Sequence, residues 1–356
     1  MSLGQGLLLV AGTAGFVSFL SAFVWRRCAL TSGVVDQPTG GRKIHDKKTP
    51  LLGGLAVASG LLLGIGVATF FLDGIRPALS AWQLAGFAAA VIILGVGGFL
   101  DDRFSLPAKY QIIFPVLASW AVILSGTSMG HVTNIFQGGP FSLAFASWSF
   151  GPLTLSLPAD LIAFAWLMLV TYATKMADGL DGLVAGQGMI GAGLIAALAL
   201  TTVFFQPSVA FLAVVVAAAF AGFLPHNLHP AKQFLGESGS TIAGFSLGFL
   251  SMLGGAKVAI GFMALGLPLA DAVIVIVGRL LRGTSPFKGD DTHLHFKLLR
   301  AGLSQRQVVV LFWMISLGFG LVALGLQSRG KLLLVALLVG LTAVLSLVAG
   351  TYRKRV

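Results

Sequence analysis

Apolar residues in this chain fall in long runs that short polar segments separate. Most runs extend over about 15 to 25 residues, the length at which an α-helix crosses a hydrocarbon core of ~30 Å. The pattern predicts an all-α polytopic membrane protein with about eleven transmembrane helices. The runs lie at about 5–25, 51–72, 80–100, 111–128, 158–176, 186–205, 207–225, 241–255, 258–280, 308–326 and 331–349.

Composition excludes the soluble domains that a length of 356 residues would otherwise allow. Hydrophobic residues make up 56% of the chain and charged residues 10%, against about 25% charged residues in soluble domains. We therefore expect one integral membrane domain over residues 1–356. The first run lacks the basic start and the cleavage site of a signal peptide, and is interpreted as a membrane span. The single cysteine, Cys28, excludes an intramolecular disulfide and a multi-cysteine metal site.

Positive charges are concentrated in loops that the predicted helices place on one side of the membrane. All but four of the 23 Lys and Arg residues lie there, so the positive-inside rule makes that side cytoplasmic. The four others are Arg76, Lys257, Arg329 and Lys331. We expect a protein of the plasma (inner) membrane with its N-terminus outside and its C-terminus cytoplasmic. The net charge of +11 does not indicate nucleic-acid binding, because no basic patch is interleaved with aromatic residues.

One external segment departs from the helical pattern. Residues 141–157 alternate apolar and small polar residues around Gly151-Pro152. This alternation predicts a short β-hairpin on the outer surface, to which we assign no chemistry.

Two pairs of aspartates lie beside apolar runs on the cytoplasmic side. Asp101 and Asp102 are adjacent, and adjacent carboxylates repel each other unless a divalent cation or a role as a base uses them. Asp178 and Asp181 are three apart, which places both on one helical face beside glycines that let a ligand approach. We predict that these four residues are catalytic, against the alternative of solvated or helix-capping carboxylates. Asp271, inside a run, is expected to be functional because an ionised group there is costly.

Basic groups lie in the same loops. The first cytoplasmic loop carries Arg42, Lys43 and His45, a cluster that suits anionic headgroups or a phosphate. Positive-inside topology alone explains this charge equally well. Lys109, which follows the first aspartate pair, is expected to hold a phosphate.

Two later loops add further polar groups. The segment HNLHPAKQFLGESGS includes Asn227 and Glu237. Its glycines lie at the start of a predicted helix, whose N-terminal N–H groups favour anions. In the alternative interpretation, Glu237 is a metal ligand. His293 and His295 in the last long loop are able to donate to a diphosphate. Carboxylates, histidines and basic residues thus meet on one membrane face. This arrangement suits Mg²⁺ bound through carboxylates and substrate phosphates, with a nucleotide diphosphate that reacts with a lipid phosphate.

In this order the motifs resemble those of the polyprenyl-phosphate N-acetylhexosamine-1-phosphate transferases (glycosyltransferase family 4). The first loop and the number of predicted spans are similar to the GlcNAc-1-phosphate branch; the alternative branch is the phospho-MurNAc-pentapeptide translocase of peptidoglycan synthesis. The matching motifs are Asp36-x-Pro38 with RKIH and PLLGG, Asp101-Asp102 with Lys109, DGLDGL from Asp178, Asn227-x-x-Pro-Ala-x-x-Phe-Leu-Gly with Gly239-Ser240, and SPFKGDDTHLHFKLL.

The chain departs from the family pattern in several places. His293-Leu-His295-Phe lacks one histidine of the family's HxHH pattern and is similar there to the HHHF of the translocase. Tyr172 and Lys175 stand where the family has Asn-x-x-Asn before DGxDG, and Glu237 stands where it has Asp in GDxGS. Glutamate keeps the charge of aspartate but lengthens the arm by one methylene. Lys175 lies three residues before Asp178, so we expect it within reach of that carboxylate. There it offsets the charge of the aspartates, contacts a substrate phosphate, or extends to water without a partner.

The resemblance implies transfer of a HexNAc-1-phosphate, GlcNAc-1-phosphate in this branch, from a UDP-sugar to polyprenyl (undecaprenyl) phosphate. The products are UMP and a polyprenyl-diphospho-sugar that starts a cell-envelope glycan such as lipopolysaccharide or teichoic acid. The resemblance also implies Mg²⁺, or Mn²⁺ in its place, held by Asp101, Asp181 and Glu237. The substrate-binding residues that it implies are Arg42, Lys43, His45, Lys109, Lys175, Asn227, His293 and His295.

Some alternatives stay open at this point. A single displacement and a covalent aspartyl-phosphate route fit the same residues, and a homodimer is neither indicated nor excluded. A secondary transporter is the rival from another class, for which buried charges near the midplane and internal repeats are expected. Only Asp271 lies deep within a run and no repeat is visible in the sequence, which argues against a transporter.

Overall fold

The computed structural model describes residues 2–37, 48–72, 79–133, 139–150, 153–253, 258–284 and 292–351. Within these ranges the chain is mostly helical. The helices are α1 (Leu3–Ser32), α2 (Gly53–Leu72), α3 (Ala81–Phe104), α4 (Ala108–Gln111), α5 (Ile113–Leu124), α6 (Ala159–Ala177), α7 (Leu183–Ala199), α8 (Pro207–Asn227), α9 (Gly236–Met252), α10 (Val258–Leu281), α11 (Leu294–Arg300), α12 (Gln305–Leu324) and α13 (Ser328–Thr351).

A helix lies at each of the eleven places where an apolar run predicts one. Seven of the described helices, α1, α2, α3, α6, α8, α12 and α13, are long and apolar enough to cross a membrane, and α7 and the α4–α5 segment are shorter apolar helices. The prediction of an all-α polytopic membrane protein is confirmed. The number of spans and the side on which each loop lies stay predictions. The apolar pattern does not predict α4 and α11, which are short helices within polar loops.

Local sequence explains where several helices begin and end. Ser2, Ser80 and Ser304 each form a capping box with the glutamine three residues later, and these boxes start α1, α3 and α12. Helix α1 ends at Gly33, which adopts the left-handed conformation that a glycine accepts without strain. Helix α10 is interrupted at Gly266, two residues before a proline that has no backbone N–H to donate.

The strands form three antiparallel pairs. They are β1 (Val35–Asp36) with β2 (Thr49–Pro50), β3 (His131–Thr133) with β4 (Pro140–Ser142), and β5 (Ala144–Phe150) with β6 (Leu153–Pro158). The last pair confirms the predicted hairpin, in which Ser147 lies opposite Ser156 and Ser149 opposite Thr154. The residues of its turn, 151 and 152, lie outside the described ranges.

Helix α9 is the central element of the site region, and it packs against its neighbours through glycines. A Cβ atom at Gly54 of α2 would lie 2.0 Å from the backbone nitrogen of Gly239, and one at Gly98 of α3 would lie 2.2 Å from the Cα atom of Ser238. Small residues let helix backbones approach closely in this way. Gly244 makes a similarly close approach to α6. The N-terminus of α9 therefore lies at the C-terminal ends of α3 and α6.

Candidate active site

Carboxylates from three elements surround the start of α9. Asp101 and Asp102 come from the last turn of α3, Asp178 and Asp181 from the turn between α6 and α7, and Glu237 from the first turn of α9. Asp101 and Glu237 line one small cavity. The structure thus brings together residues that are far apart in the sequence. Roles in catalysis or metal binding stay predictions.

Asp102 caps the start of α9. Its Oδ1 accepts the backbone N–H of Glu237 at 3.0 Å, where the dipole of the helix favours a negative charge. Gly236 precedes this contact with a φ of 74°, and a Cβ atom there would lie 2.6 Å from Oδ2 of Asp102. That Oδ2 atom is buried and has no hydrogen-bond partner within the described residues. One carboxylate oxygen of Asp102 therefore holds the start of α9 in place, and the other oxygen is left for a ligand.

Asp101 is held by the segment that follows α3. Its Oδ1 accepts the backbone N–H of Leu106 at 2.8 Å and the side-chain Nε2 of Gln111 at 2.9 Å. Gln111 also donates to the carbonyl of Leu106 at 2.7 Å. These bonds fix both the Asp101 carboxylate and the orientation of the Gln111 amide, whose oxygen is left facing Lys175.

Lys175 connects this segment to α9. Its Nζ lies 2.5 Å from Oε1 of Glu237 and donates to Oε1 of Gln111 at 2.7 Å. The same ammonium lies 5.7 Å from the ring centroid of Tyr172, a cation–π distance. We expected Lys175 near Asp178, but the described contacts of its ammonium go to Glu237 and Gln111. The cause is the central position of α9, whose first turn lies beside the end of α6.

The turn between α6 and α7 holds two carboxylates in different surroundings. Burial, together with the charges of Glu237 and Asp181, raises the pKa of Asp178 to about 8. Asp181 instead accepts from the backbone N–H of Ala231 at 3.1 Å and lies 2.8 Å from Nδ1 of His229. In this conformation Asp181 therefore anchors the loop after α8, while the raised pKa leaves Asp178 mostly protonated at pH 7.

Asn227 joins the same turn to the same loop. Its Oδ1 accepts the N–H of Gly182 at 3.0 Å, and its Nδ2 donates to the carbonyl of Gln233 at 3.1 Å. Gly182 adopts a φ of 81°, which favours glycine. The predicted nucleotide-binding residue is thus part of the scaffold that shapes the turn.

The histidine motif packs onto the aspartate turn. His295 is buried, and a Cβ atom at Gly179 would lie 2.7 Å from its Nε2. Burial and the neighbouring His293 lower the pKa of His295 to about 3, so that its imidazole is neutral at pH 7. His293 contacts Asp271 of α10, with 2.8 Å between Nδ1 and Oδ2. His295 would therefore contact a substrate as a neutral imidazole, through hydrogen bonds and without a positive charge.

The remaining predicted substrate-binding residues are basic. Lys109 is exposed on α4, with its Nζ 5.0 Å from the ring centroid of Tyr110. Arg42, Lys43 and His45 lie outside the described residues. Of the predicted basic groups, the described contacts bring only Lys175 into the carboxylate cluster.

The donor set suits Mg²⁺, which is commonly bound by one or two carboxylates, waters and substrate phosphates. Among the described residues, no three His, Cys, Asp or Glu side chains already surround one point. Glu237 is paired with Lys175, and Asp181 is paired with His229. A metal held by Asp101, Asp181 or Glu237 would therefore replace one of these contacts or take most of its ligands from substrate and water.

Sequence reasoning missed two residues that the structure places at the site. Gln111 and His229 are the partners of Lys175 and Asp181, and nothing in their local pattern indicates this. Asp271 was expected to be functional because it is an ionisable residue inside an apolar run, but its contact with His293 was not predicted.

Comparisons with known proteins agree with the motifs. The family model described as glycosyl transferase family 4 matches residues 84–255. A probable undecaprenyl-phosphate N-acetylglucosaminyl 1-phosphate transferase of Bacillus subtilis is 33% identical over 85% of this chain and 80% of its own length. A decaprenyl-phosphate N-acetylglucosaminephosphotransferase of Mycobacterium tuberculosis is 32% identical over 90% and 82%. A phospho-N-acetylmuramoyl-pentapeptide-transferase of Halalkalibacterium halodurans is 31% identical over 81% and 86%.

Proposed function

The chain belongs to glycosyl transferase family 4, and on that basis we propose that it transfers a HexNAc-1-phosphate, GlcNAc-1-phosphate in the first instance, from a UDP-sugar to polyprenyl phosphate. The products are a polyprenyl-diphospho-sugar and UMP. The reaction takes place on the cytoplasmic face of the plasma membrane, where the lipid product begins a cell-envelope glycan.

One observation carries this proposal. Five carboxylates and one ammonium lie at the ends of apolar helices, near the start of α9. A diphosphate and a divalent cation together match this mixture of charges, and the helix N-terminus favours phosphate oxygens. The apolar helices around the site provide a surface for a prenyl chain.

The chemistry is an in-line displacement at the phosphorus that carries the sugar. An oxygen of the lipid phosphate forms the new P–O bond, the bond to UMP breaks, and UMP leaves with the electron pair. When bound, Mg²⁺ neutralises charge on the diphosphate. Asp101 or Asp102 orients the lipid phosphate and accepts its proton if it arrives protonated. A covalent aspartyl-phosphate route uses the same residues in two such steps.

The remaining residues position the substrates. Lys109, His293 and His295 hold phosphate oxygens, and Asp178 with the Asn227 turn lies at the nucleotide end. Asp102 holds the start of α9 in place through the N–H of Glu237. Each of these groups contributes mainly by fixing the two phosphates in line for attack.

The test is an assay of the purified protein with undecaprenyl phosphate and a panel of UDP-GlcNAc, UDP-GalNAc and UDP-MurNAc-pentapeptide, with UMP release as the readout. We expect the highest kcat/KM with a UDP-HexNAc, a requirement for Mg²⁺ or Mn²⁺, and no turnover in EDTA. Preference for UDP-MurNAc-pentapeptide would assign the protein to the translocase branch, which the relative from Halalkalibacterium halodurans represents. Full turnover in EDTA would reject the metal part of the proposal.

Two aspartate variants make the assay specific. Asp101→Asn removes a charge from the site and should lower kcat by several orders of magnitude. Asp160→Asn makes the same chemical change near the start of α6, about 27 Å along the helix from Asp178. It should retain most of the activity per folded molecule. Equal loss in both variants would show that the assay reports stability and not catalysis.

A further inference from the structure

We propose that the ammonium of Lys175 is a permanent part of the carboxylate site. In the absence of metal this ammonium holds the carboxylate of Glu237, and it thereby lowers the affinity of the site for a divalent cation. The inference rests on the proposed function in one respect: the metal is the divalent cation that the proposed transfer reaction would use. It assigns a positioning residue that also sets metal affinity.

The first argument is the geometry around the ammonium. Nζ of Lys175 contacts Oε1 of Glu237 at 2.5 Å and Oε1 of Gln111 at 2.7 Å, above the ring of Tyr172. The Gln111 amide is not free to turn away, because its Nε2 donates to Asp101. An unbroken chain of contacts therefore joins Asp101 to Glu237 through Gln111 and Lys175, and it links α3, α4, α6 and α9.

The second argument is the balance of charge. Glu237 interacts electrostatically with Asp101, Asp102 and Asp178, all of like sign. The side chains of Lys175 and Glu237 are only 23% and 19% exposed, so water screens this pair less than it screens a pair on the surface. One ammonium at this point removes part of the repulsion that a divalent cation would otherwise have to remove.

The third argument is the length of the two side chains. The N–H of Glu237 is fixed by Asp102, so the reach of the carboxylate is determined by the side chain alone. Aspartate at this position would be one methylene shorter and would fall short of the ammonium. Tyr172, Lys175 and Glu237 all depart from the family pattern, and the structure shows that Lys175 contacts the other two.

The consequence is competition for one carboxylate. A divalent cation at Glu237 either displaces the Lys175 ammonium from Oε1 or shares the carboxylate with that neighbouring positive charge, and either route weakens its binding. Without Lys175, Glu237 is left as a partly buried charge with no partner among the described contacts, which is costly. The site should then bind metal more tightly and depend on it more for stability.

The experiment measures metal binding without any sugar nucleotide. Mn²⁺ is titrated into EDTA-stripped protein by electron paramagnetic resonance, and Tm is recorded with and without Mg²⁺. We expect Lys175→Met to tighten Mn²⁺ binding by about tenfold, the size expected for loss of a partly buried competing ion pair. Its Tm should fall in EDTA and recover in Mg²⁺ by a larger step than in the parent. Lys175→Arg should behave like the parent, since it keeps the cation.

Two further variants separate competition from a general effect of charge. Glu237→Asp keeps both charges but breaks the contact, so it too should tighten Mn²⁺ binding. Lys232→Met removes one positive charge from an exposed loop residue and should leave the Mn²⁺ titration close to that of the parent. If Lys175→Met does not fold, Glu237→Asp carries the test alone.

Unchanged Mn²⁺ affinity in both Lys175→Met and Glu237→Asp would overturn the inference, as would an equal gain in Lys232→Met. These outcomes are independent of the proposed transfer reaction, because neither readout requires turnover. An enzyme inactive with every UDP-sugar but with the predicted Mn²⁺ shifts would reject the proposed function and retain the role of Lys175.

Discussion

Both carboxylate oxygens of Asp271 are committed to the start of the histidine motif: Oδ2 lies 2.8 Å from Nδ1 of His293, and Oδ1 accepts the backbone N–H of Leu294 at 3.0 Å. Both side chains are buried. Because an ionised carboxylate only accepts hydrogen bonds, the proton lies on Nδ1 of the imidazole. The other ring nitrogen, Nε2, is then the one left for the phosphate that His293 is proposed to bind.

This relationship predicts that Asp271 positions His293 for phosphate binding. Asp271→Asn keeps the shape of the side chain but loses the charge that holds the imidazole. We expect kcat/KM for the UDP-sugar to fall by about ten- to a hundredfold, the range typical of residues that orient a metal-binding histidine. The fall should appear mainly in KM, since phosphate binding is the step affected. Steady-state kinetics at saturating lipid phosphate measure it.

A double-mutant cycle provides the control for this prediction. If Asp271 acts through His293, the double variant Asp271→Asn/His293→Gln should be no worse than His293→Gln alone. Losses that add in free energy would mean that Asp271 acts independently of His293, for example by stabilising α10.

Much of the fold follows from the sequence because its main signal is local. The length and apolarity of each run predict a helix at eleven places, and alternation predicts the hairpin at 141–157; all are found. The motifs also place the carboxylates at helix ends. Each of these conclusions depends on neighbouring residues or on a pattern of fixed period.

The pairing of side chains does not follow, because it depends on how helices pack. Lys175 is three residues from Asp178 and 62 from Glu237, yet its ammonium contacts Glu237. That contact exists because α9 lies between α3 and α6, and glycines such as Gly98 allow the close approach. The periodicity of hydrophobic residues indicates that a helix is buried, but it does not indicate which neighbouring helix packs against it. Gln111 and His229 were missed for the same reason.

The glycine contacts give a second prediction, which concerns Gly98. A Cβ atom there would lie 2.2 Å from the backbone of Ser238, which has no flexible end to move. Gly98→Ala should therefore force α3 away from α9, destabilise the protein by about 1–3 kcal/mol, and reduce activity through the displaced Asp101 and Asp102. Thermal unfolding in detergent and UMP release measure the two effects.

Gly95→Ala is the matched control for this change, one turn earlier on the same helix. The nearest atom to a Cβ there is Cδ2 of Leu55 at 3.4 Å, an ordinary contact with a flexible side chain. This variant should retain the Tm and activity of the parent or gain slightly from the better helix propensity of alanine. Equal behaviour of the two variants would contradict the close packing of α3 on α9.

The third prediction uses the raised pKa of Asp178, which burial and the charges of Glu237 and Asp181 bring to about 8. In the folded protein Asp178 keeps a proton that the unfolded chain, with a pKa of about 3.9, has already released. Unfolding therefore releases a proton between these values, and stability in EDTA should fall as pH rises from about 4 to about 8. Tm measured across this range should show the decline.

Two comparisons identify the source of that decline. Asp178→Asn has no proton to release at this position, so its Tm in EDTA should depend less on pH. Mg²⁺ at pH 8 should raise the Tm of the parent, because a bound cation offsets the repulsion that favours the protonated form. A decline of the same size in the parent and in Asp178→Asn would show that other groups cause it.

The fourth prediction concerns the side of the membrane on which the site lies. Val203 and Lys232 are exposed residues beyond opposite ends of α8, whose 21 residues span about 31 Å. The distribution of Lys and Arg predicts that Lys232 lies in the cytoplasm. In a Cys28→Ser background, a membrane-impermeant maleimide should therefore label Val203→Cys in intact cells, but Lys232→Cys only after permeabilisation. The reverse pattern would place the carboxylate cluster outside, where UDP-sugars are absent, and would be incompatible with the proposed reaction.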